Sequence, residues 1–380
     1  MSSQDSSQDA KESSEQPSDS KKQRETLWQR LRPLFELSNI KRPWGMLLTV
    51  SLSVGSPVLL GTLLGNFEAG IAASCGGLAS IYLRQTPLSH RLITMALVTF
   101  GFSTGYLLVL LAGFSFFAVA AALAMVVFWA TFICRFYDIP PPGSFFFIMV
   151  ACIASAMPYE PARLAEHAGL LLFGCLGASF MTLLYSLIQK LKGELSGLPQ
   201  VEVPEPRVVA IVLEAGTLAV IIAFSYLLAI ALGFEKPYWV PISCAAVLQG
   251  ASFRVVWHRK IHRIVGTLIG LGLAWVIFRL DPGHWEMAFL VLVLSFVIEV
   301  LVTRNYGLAV IFITPMTIIL AEGVSVSHDV NSVIMLRLQD VLLGSVVAWL
   351  GGLVLYRRSL YDAMEQRILQ WRANQKLRKD

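Results

Sequence analysis

Two short charged runs interrupt otherwise uncharged sequence, Arg163-Leu-Ala-Glu166 and Arg337-Leu-Gln-Asp340. In each, a guanidinium and a carboxylate stand three residues apart, so on a helix they share one face and can pair. Ionisable groups inside a membrane span cost about 2.5 to 3.5 kcal/mol on insertion scales, which makes them candidates for function. Each run has two readings: a structural salt bridge, or an Arg that attracts an anionic substrate beside a carboxylate whose pKa burial could raise for proton coupling. A second candidate is Lys236-Pro-Tyr-Trp-Val-Pro241. Pro suits a first helical turn, so a helix starting here would present backbone N–H groups and a positive dipole end. Tyr238 and Trp239 add flat faces for an aromatic ring, or serve as an interfacial anchor. Arg254, Arg259, Lys260 and Arg263 are mainly a topology signal, with an anion-collecting cytoplasmic vestibule as the other reading. Glu214 and Glu299, near cytoplasmic helix ends, are expected to find interfacial or inter-helix partners.

Other chemistry has little support. His258 and His262 form H-x-x-x-H, but Arg-Lys-Ile lies between them, without the Glu of a zinc protease, in what reads as a basic loop. There is no P-loop, and the six histidines are scattered. The five cysteines, Cys75, Cys134, Cys152, Cys175 and Cys244, lie within or at the ends of apolar segments and show no C-x-x-C spacing. They read as buried thiols. No metal, cofactor or enzymatic activity is expected.

The elements that must position these residues are membrane helices. Hydrophobic residues make up 56% of the chain and charged residues 14%, against roughly 25% charged in soluble domains. Leu92 to Cys134 runs 43 residues without an ionisable Asp, Glu, Lys, Arg or His, room for two helices of about 20 residues each. The pattern predicts an all-α polytopic membrane protein with helices near 45–65, 69–83, 92–111, 114–134, 144–158 and 162–188. A second set falls near 208–232, 238–253, 263–279, 286–303, 305–321 and 331–356. The two sets echo each other about 170 residues apart. IAASCGGLASIYLR, ending at Arg84, parallels VPISCAAVLQGASFR, ending at Arg254; Arg135-Phe-Tyr137 parallels Arg304-Asn-Tyr306; and the two charged runs open the last helices. Twelve helices as two parallel six-helix repeats follow, related by an axis along the membrane normal.

The flanking segments carry less. Residues 1–24 are too polar to bury and should be disordered, with no signal peptide. Residues 25–43 hold Trp28, Leu31, Leu34 and Phe35 at helical spacing, an amphipathic interfacial or capping helix. The first repeat covers 44–189, a Pro-containing cytoplasmic linker 190–207, the second repeat 208–356 and a cytoplasmic tail 357–380.

Pro237-Tyr-Trp239, Gln249, Arg263 with Gly266-Thr-x-x-Gly270, and Arg337-x-x-Asp340-x-x-x-Gly344 resemble the membrane domain of the fusaric-acid-resistance and aromatic acid exporter superfamily, to which plant aluminium-activated malate transporters are distantly similar. The resemblance is strongest over about 205–356. It implies export of organic acids, often aromatic carboxylates, across the bacterial inner membrane, and carries Tyr238, Trp239, Arg263, Arg337 and Asp340 over as path or gate residues. The expected partners are small organic anions, membrane lipids and further copies of the chain, with no nucleic acid. Larger members of the superfamily have a cytoplasmic domain that this chain lacks, so a periplasmic adaptor is without support. A passive anion channel and a membrane-embedded enzyme or envelope-assembly factor acting on lipid headgroups remain as alternatives.

Counting Lys and Arg loop by loop places 26 on the side of the N-terminus and only Arg163, Lys236, Arg279 and Arg337 on the other. Cytoplasmic loops retain the excess, so both termini are expected in the cytoplasm. An impermeant thiol reagent applied to intact cells should label a cysteine introduced at Pro282 and spare one at Arg259. The reverse pattern would invert the topology.

Overall fold

In hydrocarbon, backbone groups have no water to bind, and helices satisfy them internally. The computed structural model describes residues 38, 42–195, 207–248, 253–322 and 330–355, apart from the side chains of 253–258, 322 and 330. Among these residues there is no strand. The helices are α1 (Trp44–Leu63), α2 (Phe67–Gly77, continued by a 3-10 turn, Leu78–Tyr82), α3 (Leu88–Leu111), α4 (Phe116–Phe136), α5 (Phe145–Ala154) and α6 (Leu164–Leu191). Then follow α7 (Val208–Ala231), α8 (Trp239–Leu248), α9 (Phe253–Arg279), α10 (His284–Val302), α11 (Tyr306–Glu322) and α12 (Val330–Leu355). Odd-numbered helices start at the end of the bundle that carries Arg42, the first face; even-numbered ones start at the second face. The interfacial segment, Gln249, the centre of the linker and the C-terminal tail lie outside the described residues.

Eight of these helices, α1, α3, α4, α6, α7, α9, α10 and α12, are long and apolar enough to cross a membrane. The others, α2, α5, α8 and α11, have 11, 10, 10 and 17 residues. At 1.5 Å per residue the three shortest fall well below a hydrocarbon core of about 30 Å. The outer surface is apolar, with Phe100, Trp129, Phe180, Val220 and Leu268 exposed, as lipid contact requires.

Lipid is as apolar as any side chain, so helix association depends on close packing through small residues. A Cβ at Gly174 of α6 would collide with the backbone oxygen of Ala73 in α2, and one at Gly344 of α12 would lie 2.6 Å from the oxygen of Val240 in α8. Thus α2 seats on α6, and α8 on α12. Likewise α3 packs on α5 and α9 on α11, while α4 meets α7 and α1 meets α10.

Two expectations change. Helix α9 begins at Phe253, ten residues before the predicted 263, which puts His258 and His262 in a helix and not in a basic loop. Nothing between them breaks a helix, since Arg, Lys and Ile all propagate one. Arg91, counted as a loop charge, is buried in the first turn of α3, donating to the Thr86 carbonyl (2.8 Å), Ser186 Oγ (3.1 Å) and Gln189 Oε1 (2.7 Å).

Gly174 and Gly169 share α6, yet a Cβ at Gly169 would meet nothing within 4 Å. Gly174→Ala should therefore destabilise by about 1 to 3 kcal/mol, the usual cost of overpacking, while Gly169→Ala should leave the melting temperature in detergent unchanged. Equal melting temperatures would refute the α2–α6 seat.

Candidate functional site

The two halves close on each other at α1–α10 and α4–α7 and leave a cavity of about 920 Å³ between them. Each seam carries an ion pair near the first face. Arg135 Nη2 lies 2.5 Å from Glu214 Oε1, and Arg42 Nη1 lies 2.9 Å from Glu299 Oε2. Glu214 and Glu299 thus have the inter-helix partners their positions suggested. Glu299 is buried and Glu214 part-exposed, so only the former is held strongly by its pairing.

The cavity wall is apolar along its middle, where Val54, Ile153, Ile242, Ile313 and Met316 line it. Its first-face end holds Arg42, Arg259 and Arg263 against one carboxylate, Glu299. The opposite end holds Glu68, Glu166 and Glu235 with Arg163, Lys236 and His167. The first-face mouth is therefore cationic. Low-dielectric walls focus such a field and concentrate counter-ions there.

Arg263 is the distinctive member. It lies on α9, is 8% exposed, lines the cavity, and its Nε has no hydrogen-bond partner. Among the described residues Arg263 makes no ion pair. A buried guanidinium N–H without an acceptor is costly, and an anion entering the cavity would supply one. Beside it, Arg259 stacks over the Tyr306 ring at 5.1 Å. The Arg254 side chain lies outside the described residues.

Arg337 and Asp340 are buried, at 4% and 2% exposure, but neither lines the cavity. Arg337 touches two residues that do. Its Cζ lies 3.2 Å from the centre of the Trp239 ring, and its Nη2 donates to Thr317 Oγ1 at 2.9 Å. It therefore holds the wall from behind and presents its charge through an indole. Tyr238 and Trp239, 9% and 3% exposed, are buried in the bundle. The N–H groups of Trp239 and Val240 bond to the carbonyls of Lys236 and Pro237, so the start of α8 is not open to a carboxylate. Arg163 lines the second-face mouth and pairs with Glu166 at 3.2 Å. Both are about half exposed, and a surface pair of this kind is worth little.

The five cysteines are buried free thiols. No cluster of three metal-ligating side chains occurs among the described residues. The residue that sequence reading passed over is His167, a lone histidine in the first turn of α6 that lines the cavity.

These residues have relatives. Residues 218–351 match the family described as fusaric acid resistance protein-like. That segment contains Tyr238, Trp239, Arg263, Arg337 and Asp340. The uncharacterized membrane protein YvaC of Bacillus subtilis (strain 168) is 39% identical over 130 residues, which cover 34% of this chain and 21% of that protein. The uncharacterized protein YhfK of Escherichia coli (strain K12) is 27% identical over 160 residues, covering 40% of this chain and 22% of the relative. The matched stretches thus span about a fifth of the length of these curated relatives. No solved structure matches the chain.

Proposed function

We propose that this chain is a multi-pass inner-membrane exporter of small organic anions, foremost aromatic carboxylates, with both termini in the cytoplasm. The observation that carries the reading is the buried, acceptor-poor guanidinium of Arg263 inside a cavity between the halves. A carboxylate satisfies a guanidinium with two parallel hydrogen bonds, which a halide or a neutral solute does not. The apolar middle of the cavity and the Trp239 ring suit the organic part of such a ligand. With the first face cytoplasmic, as the Lys and Arg bias suggests, the cationic mouth loads anions from the cell interior, and the more acidic second mouth favours their release. The buried acid Asp340, one turn from Arg337, supports proton coupling.

The matching packing of α2 on α6 and α8 on α12, and of α3 on α5 and α9 on α11, supports two parallel six-helix repeats with the path at their interface. In this arrangement the short second and fifth helices of each half cross with the help of their flanking turns.

Purified chain in liposomes should drive saturable flux of benzoate and other aromatic carboxylates. Arg263→Gln removes the charge, and losing a charge-assisted hydrogen bond costs about 1.5 to 3 kcal/mol, so its apparent affinity should fall roughly tenfold to a hundredfold with folding retained. Unchanged affinity in this variant would overturn the reading.

A further inference from the structure

His167 sits in the first turn of α6, lines the cavity and is 9% exposed, and its Nε2 has no hydrogen-bond partner. Buried imidazoles in structural roles ordinarily use both nitrogens, because an unpaired buried polar atom is costly. His167 therefore reaches the cavity directly, at its second-face end.

We infer that His167 is a second anion contact, at the far end of the cavity from Arg263, and that binding of an organic carboxylate there is linked to proton uptake by the imidazole. This rests on the reading of the cavity as an organic-anion path. The protonated ring donates from both nitrogens and carries a charge, while the neutral ring offers one donor and no charge. The other titratable groups lining the cavity around it are Glu68 and Cys75 on α2, Tyr106 on α3, Arg163 and Glu166 beside it, and Glu235, Lys236 and Tyr238 across the cavity. Helix α1 contributes none. Of these side chain types, the imidazole is the one suited to exchange a proton between mildly acidic and neutral solution.

The sign is fixed. Carboxylate affinity at this end is highest with the imidazole protonated and falls as pH rises and the ring loses its charge, so a more alkaline solution at the second face promotes release.

Benzoate, an anion from pH 5.5 to 7.5, is the probe, with binding to the purified full chain carrying Arg263→Gln measured at both, so that the Arg263 contact does not mask the second one. With His167 in place this chain should bind more weakly at pH 7.5. Adding His167→Asn should leave binding weak at both, and adding His167→Arg, with a fixed charge, should keep it tight at both. A His167→Asn or His167→Arg variant that keeps the pH dependence would overturn the inference and leave the anion path standing. If the unsubstituted protein binds benzoate at neither pH, the organic-anion reading itself fails, and this inference with it. Either variant alone suffices should the other fail to fold.

Discussion

Close approach between helices through small residues is the interaction on which the rest of this structure depends. Burying apolar surface gains nothing against lipid, so α2 holds to α6 and α8 to α12 because Gly174 and Gly344 let backbones touch. Those seats fix the register of α6 and α12, and with it the depth of His167 and Arg337. They also bring the short helices α2 and α8 inward, where they form opposing walls of the cavity.

Charge is then distributed by how much protein surrounds it. Arg135 and Glu214 pair near the surface, and Arg42 and Glu299 pair deeper, so each seam between the halves is tied at the first face. Arg91 donates to a carbonyl and two side chains, and Arg337 donates to Thr317 and lies on the face of Trp239. Arg263 and His167 are both buried, both line the cavity, and Nε of the one and Nε2 of the other have no hydrogen-bond partner. An anion that enters the cavity would supply an acceptor to each.

Much of this was legible in the sequence. Long uncharged runs gave the helices and their order, because hydrocarbon imposes a length and a composition that soluble folds do not. The start of α9 was missed because a cluster of Arg, Lys and His between Phe253 and Arg263 looks like a loop when only hydropathy is read, although the same residues propagate a helix. The two charged runs read alike in sequence but differ in surroundings: Arg163 and Glu166 are about half exposed, whereas Arg337 and Asp340 are buried. Which Arg faces the cavity was not legible at all. Arg337 and Arg263 both read as intramembrane or border cations, and only the position of the Trp239 ring shows that one is screened and the other open.

The central claim is that the space between the halves receives an organic anion at Arg263. A structure of the full chain determined with 4-iodobenzoate, whose iodine can be located unambiguously, tests this most directly. The account predicts the iodine within the apolar middle of the cavity and the carboxylate on the Arg263 guanidinium. Iodobenzoate bound at saturation only on the lipid-facing surface, with the cavity unchanged, would contradict it.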